Sequence, residues 1–175
     1  MDDSHHIDST HHLLSIANST SDALIAINSE GRVISWNHAA GLIFQYSRDE
    51  MIGQSLHAIL PERFRDLHDQ GIARVNSGGD RHVIGKSAQL AGVRKDGTEF
   101  PLELTLSAWR TDEGMNYGGI IRDITDRVAM EEEIRLSEMR FRSILESAHD
   151  AIITADSKGD ILSWNKAAMD IFGHT

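Results

Sequence analysis

The stretch DALIAINSEGRVISWNHAAGLIFQYS, residues 22–47, decides the fold. Ala23–Asn28 is an apolar run of strand length, and Val33–Trp36 is a second one. Ser29-Glu-Gly31 between them is a turn, so the two runs form a hairpin. Asn37 offers a side-chain oxygen to cap a helix over Ala39–Gln45. Ser47-Arg-Asp-Glu50 has the form of a capping box and opens a further short helix. Nearly the same stretch returns as DAIITADSKGDILSWNKAAMDIFGHT at 150–175. Trp36 matches Trp164 without a gap, an offset of 128 residues (164 − 36). Extended back to Leu13 and Phe141, the match keeps 15 identities over 35 positions. That period is too long for a solenoid repeat and reads as a tandem domain. The second copy reaches Thr175 before it has built a sheet. It is expected to be the incomplete opening of another domain, with an output domain beyond it.

Between the copies the pattern changes. Pro61 is expected in the first turn of a longer helix running to about Val75, which Asn76-Ser-Gly-Gly79 ends. Three extended runs follow: Ser87–Arg94, Glu99–Trp109 and Tyr117–Thr125. Lys95-Asp-Gly97 is a tight hairpin turn between the first two. Thr111-Asp-Glu-Gly114 is expected to be a longer loop between the second and third. The connector Arg127–His149 repeats Ile134, Phe141 and Ala148 every seven residues. Met130, Met139, Ile144 and Leu145 widen that stripe, and most other positions are charged. It is expected to be an amphipathic helix that forms a parallel dimeric coiled coil; a monomeric helix folded back on the sheet is the alternative.

Composition removes several functions. The formal net charge is −10, which argues against a nucleic-acid surface and an anionic membrane surface. No apolar run approaches a membrane span and no signal peptide opens the chain, so a cytoplasmic location is expected. There are no cysteines, hence no disulfides, thiolate ligands or thiol nucleophiles. No phosphate loop, zinc-hydrolase motif or nucleophile elbow occurs, so these residues are not expected to form an enzyme. His5, His6, His11 and His12 flank a polar tail, 1–12, whose spacing fits no dedicated metal site. Trp36, in a short strand, is expected to pack rather than to stack on a cofactor.

The order of two strands, several short helices and three strands, with D-A-L-I-A-I-N, G-R-V-I-S-W-N-x-A-A, R-K-D-G-T-E-F-P-L-E-L at 94–104 and R-D-I-T-D at 122–126, resembles the PAS sensor family. The resemblance covers about residues 13–126, and residues 150–175 resemble the front of a second PAS domain. It implies an α+β fold: a five-stranded antiparallel sheet with helices packed on one face, followed by a signalling helix over 127–149. It also implies a sensory module of a bacterial multidomain signalling protein. Asp123 and Thr125 would join the sheet to the helix and carry the signal to the output domain, a histidine kinase or a cyclic-dinucleotide enzyme.

His68 raises the question of a ligand. On a helix it shares a face with Phe64, Gly71, Ile72 and Val75, with Leu60 and Leu67 beside them. It is therefore expected to point toward a pocket, with Gly71 leaving space for a flat group. Neighbouring His68 and Asp69 point about 100° apart and are not expected to act as a catalytic dyad. A neutral imidazole in an apolar pocket is what haem iron needs from a proximal ligand. Arg74 lies toward the edge of that face, where a guanidinium could meet a propionate, and His82 begins the next segment.

L-H-D-Q-G-I-A-R through R-H-V-I-G to R-K-D-G-T-E-F-P resembles, without a gap, the haem-binding PAS domain of FixL-type oxygen-sensing kinases. That resemblance places the iron ligand on His68 and the propionate partners on Arg74 and His82. The gas-side aliphatics fall on Val83, Leu104 and Leu106. It implies haem b as cofactor and a diatomic gas as ligand; the homodimer through the linker helix rests on the heptad pattern above. One departure is plain: the family's arginine that meets bound dioxygen falls on Ala88. Haem binding is expected to survive that change while oxygen sensing is not, leaving carbon monoxide, nitric oxide or redox sensing open. The alternative is a cofactor-free PAS module for dimerisation and relay, with His68 an ordinary core residue. Flavin binding is a third class for which no particular residue here argues.

Overall fold

The computed structural model describes residues 19–79, 85–112 and 114–173. Its chain divides into two compact units, Met1–Asp126 and Arg127–Thr175. The expected tail 1–12, and all but the last two residues of a short lead-in helix expected over 11–20, lie outside the described residues.

The first unit is a five-stranded antiparallel sheet of order β2-β1-β5-β4-β3. The strands are β1 (Ala23–Ile27), β2 (Val33–Trp36), β3 (Ser87–Val93), β4 (Glu99–Thr111) and β5 (Gly114–Asp123). Between β2 and β3 run α1 (His38–Phe44), α2 (Arg48–Met51), a 3-10 turn (Leu56–Ile59) and α3 (Glu62–Asn76). Asn37 caps α1 as expected, accepting from Ala40 N at 2.9 Å. The same oxygen accepts from Leu24 N at 2.9 Å, and the amide donates to the Asp22 carbonyl at 3.1 Å. One buried side chain thus ties helix to hairpin, satisfying backbone groups that would otherwise be orphaned. Ser47 and Glu50 form the expected capping box.

The core sits on one face of the sheet. Ile25, Val33, Trp36, Phe44, Met51, Phe100, Leu102 and Ile121 are its buried members. Trp36, Phe44 and Phe100 form an aromatic series with centroids 5.7 and 5.5 Å apart. Trp36 packs there, and its indole N–H donates to the Tyr46 carbonyl at 3.2 Å. Arg94 lies over the Phe100 ring at 3.9 Å and pairs with Asp123 at 2.6 Å.

Several boundaries differ from expectation. Pro61 is the N-cap of α3 rather than a residue of its first turn. The stretch 111–114 is not a long loop: β4 and β5 extend until Thr111 pairs with Gly114. The two long strands pair further than their apolar alternation alone indicates, because backbone ladder bonds continue past the buried residues. The final strand stops at Asp123, and the linker helix α4 starts at Thr125, earlier than read from its charge pattern, and runs to Ser147. Asp123 explains the break, for its carboxylate accepts from Thr125 N at 2.9 Å and Oγ1 at 2.5 Å.

In the second unit, β6 (Ile153–Ala155) and β7 (Ile161–Trp164) form a two-stranded sheet followed by α5 (Lys166–Phe172). Asn165 repeats the work of Asn37, accepting from Ala168 N and Ile152 N, each at 2.9 Å. Along α4, Met130, Ile134, Phe141 and Ile144 are each more than 60 % exposed, an apolar stripe at heptad spacing.

Candidate functional site

The site is built on α3. Phe64, His68, Ile72 and Val75 are half-buried, the stripe that helical periodicity predicts, whereas Leu67 turns outward at 64 % exposure. The helix has no fully buried residue and is tied down mainly at its ends. Near its start Arg63 makes a bidentate pair with Glu99, at 2.7 and 2.6 Å. At its end Asn76 accepts from Tyr117 Oη at 2.7 Å and donates to the Ser29 carbonyl at 3.0 Å.

His68 sits midway between these ties. Its side chain is 21 % exposed, and burial pushes its pKa below the usual imidazole value, so the ring is neutral at pH 7. It borders a cavity of about 320 Å³. The β1–β2 turn (Ser29, Glu30, Gly31) forms one wall, and His68, Asp69, Ile72, Ala73 and Asn76 of α3 form another. Gly31 has φ +76°, and a side chain there would approach Ile72 Cδ1 at 3.4 Å. Glycine is therefore needed for the turn, while a Cβ there would make only ordinary contact with the helix.

His57, from the 3-10 turn, completes the group. Its Nε2–H donates to Asp69 Oδ1 at 2.8 Å, and His68 Nδ1 lies 3.4 Å from the same oxygen. The hydrogen bond from His57 holds the Asp69 carboxyl below its ordinary pKa. The two imidazole rings meet edge-on, with centroids 6.0 Å apart. His57 was not legible as a site residue, because nothing in its spacing links an isolated turn histidine to a helix residue eleven positions later. The 100° separation of His68 and Asp69 did not keep their polar atoms apart, since Asp69 bends back toward His57.

The other expected residues are placed differently. Ala88, Leu90 and Gly92 pair with Leu104, Leu102 and Phe100. Directly opposed residues share a face, so Leu104 and Leu106 lie on the core side of β4, both half-buried. The wall of the His68 cavity does not include them, nor does it include Arg74, which is exposed on the last turn of α3. His82 and Val83 lie outside the described residues. Asp123 and Thr125 meet as described above. Arg94 and Thr125 hold the Asp123 carboxyl below its usual pKa, although burial pulls the other way.

A five-stranded antiparallel sheet of this order, with short helices between its second and third strands, defines a sensor-domain architecture. Residues 21–126 match the PAS domain family model, and the chain belongs to that family. Residues 139–175 match the PAS fold a second time. Over 129 residues the chain is 33 % identical to sensor protein FixL of Bradyrhizobium diazoefficiens, covering 74 % of this chain and 25 % of that protein. It is 26 % identical over 150 residues to the oxygen sensor protein DosP of Escherichia coli, covering 86 % of this chain and 18 % of DosP. It is 32 % identical over 135 residues to the cell-division control histidine kinase PdhS of Brucella anthropi, covering 73 % and 12 %. The chain thus spans a quarter or less of the length of these relatives. Among solved structures, the PAS domain of an HTR-like protein from Haloarcula marismortui superposes with a TM-score of 0.55 at 17 % identity, covering 70 % of this chain and 97 % of that one. No helix among the described residues is long and apolar enough to cross a membrane.

Proposed function

We propose that this PAS domain is a haem-based gas or redox sensor, with His68 as the iron ligand, working in the cytoplasm to control a C-terminal output domain. The observation that carries the reading is the setting of His68. It is a neutral, half-buried imidazole on a helix secured at its ends, while the core face of the sheet stays partly uncovered at Leu90, which is 44 % exposed. The residues fit the group in kind. A neutral nitrogen ligand, the aliphatic Leu104 and Leu106, and a Gly71 whose added Cβ would meet nothing within 4 Å suit a flat apolar macrocycle. Arg74, and with it His82 and Val83, keep the roles that the FixL-type resemblance implies. When bound, haem supplies an iron that takes a diatomic ligand or changes oxidation state. Ala88, paired with Leu104, offers such a ligand no hydrogen bond, so carbon monoxide and nitric oxide lose less than dioxygen does.

The signal leaves through Asp123 and Thr125, where one carboxylate holds β3, by way of Arg94, and the first turn of α4. The exposed heptad stripe on α4 supports a homodimer along that helix. The relatives named sensor and histidine kinase support a kinase as output.

The test is an absorption spectrum of the chain expressed with ample haem, beside His68→Ala. An intense Soret band that the substitution removes or shifts is the expected result. No band in either protein overturns the haem reading and leaves a cofactor-free dimerisation and relay module. Sedimentation equilibrium checks the dimer, with Ile134→Glu and Phe141→Glu expected to yield monomers.

A further inference from the structure

We propose that His57, His68 and Asp69 form a binding site for a divalent transition-metal ion, zinc being the ion it suits best. One ligand atom from each residue lies within 4.8 Å of the other two. Zinc bound to imidazole nitrogen and carboxylate oxygen at about 2.0–2.1 Å in tetrahedral geometry sets its ligand atoms about 3.3 Å apart. The His68–Asp69 separation of 3.4 Å already meets that spacing. The His57–Asp69 separation of 2.8 Å is a hydrogen bond, which opens by about half an ångström when an ion replaces the proton.

The three residues come from two elements, the 3-10 turn and α3, so an ion here would clamp the turn to the helix. Two imidazoles and one carboxylate favour zinc and its first-row neighbours. Calcium and magnesium demand six or more oxygen ligands, and the cluster offers one carboxylate. Asp69 is 58 % exposed and His57 33 %, which gives an ion a path from solvent. The adjoining cavity leaves room for water in the fourth position, the arrangement of an open rather than a closed zinc site. The inference shares His68 with the haem reading but does not rest on it, because only the metal site needs His57.

The test titrates Co²⁺ and Zn²⁺ by calorimetry into the whole chain after chelator treatment. His5, His6, His11 and His12 are replaced by Gln so that the tail takes up no ion. The expected result is one saturable ion per chain, with visible cobalt absorption bands. His57→Ala and Asp69→Asn should each weaken binding by at least about tenfold, the lower end of what even an outer-shell partner is worth. His57→Gln checks that any loss follows the ligand rather than a misfolded turn, with circular dichroism as the control. Haem uptake separates the two readings: His57→Ala should lose the metal and keep the Soret band, and His68→Ala should lose both. Metal binding that follows His57 in a chain with no Soret band supports the metal site while the haem reading falls. No saturable binding, or equal affinity in the parent and His57→Ala, overturns the site.

Discussion

Replacing Asp123 by alanine removes three interactions at once: the ion pair with Arg94 at 2.6 Å and the two hydrogen bonds that start α4. The Arg94 side chain is 19 % exposed and that of Asp123 26 %, so the pair is mostly but not fully withdrawn from water. Breaking a fully buried pair costs about 3–5 kcal/mol. Partial exposure, together with the Phe100 ring and the Ile43 carbonyl that still hold the guanidinium, lowers this to about 2 kcal/mol. Loss of the helix cap adds about 1 kcal/mol. The expected total of about 3 kcal/mol corresponds to a fall in Tm of about 12 °C for a domain of this size.

Asp123→Asn keeps an oxygen for Thr125 and loses only the charge, so it should cost about 2 kcal/mol. Urea unfolding of the whole chain at pH 7, followed by circular dichroism, measures both. The carboxyl titrates below its unfolded value of 3.8, so its contribution is present above that pH and is lost as pH falls through the lower folded value. The gap between the parent and Asp123→Ala should therefore narrow below pH 3.8. A cost under about 1 kcal/mol at pH 7, the level of an exposed surface pair, would refute the reasoning.

Other substitutions probe the packing and the caps. Gly92→Ala would set a Cβ 2.7 Å from Leu102 and 3.0 Å from Phe100 in the core, and should cost about 1–3 kcal/mol by overpacking, measured as a shift in the urea midpoint. Asn37→Ala strips the cap of α1 and its links to Leu24 and Asp22, and should cost about 2 kcal/mol by the same measurement. The Glu50 carboxyl, hydrogen-bonded by Lys95 and by Ser47, should titrate at about 2 by carbon-13 NMR. Its stabilising effect is present above its ordinary value of 4.5 and disappears as pH falls toward about 2. Lys95→Met should raise that pKa; an unchanged value would show that the lysine contributes nothing.

The two copies of the opening stretch separate what sequence determines from what tertiary structure decides. β1–β2 and β6–β7 adopt the same register, Ile25 facing Trp36 and Ile153 facing Trp164, each with a bulge one residue after the second pair. Asn28 and Asp156 close the two turns identically, each accepting from the backbone two and four residues on. Asn37 and Asn165 cap both helices. These features are local. They need only a turn glycine, a short polar side chain and β-branched residues in alternation, all readable in the letters; the five-stranded sheet was implied by the resemblance to PAS domains, and its strand order came from the structure. Burial is not local: Ile25 is 5 % exposed and Val33 0 %, whereas Ile153 and Ile161 are 40 and 52 % exposed. In the first copy β5 pairs along β1, and helices cover the hairpin; the second copy has its hairpin and one short helix.

The same division holds at the site. Helical periodicity placed His68 on the half-buried stripe of α3, because neighbours on one helix face depend on spacing alone. It could not place His57 beside it. That meeting depends on how the 3-10 turn folds back against α3, and the contacts that set it join residues eleven and twelve positions apart across Pro61 and the helix start.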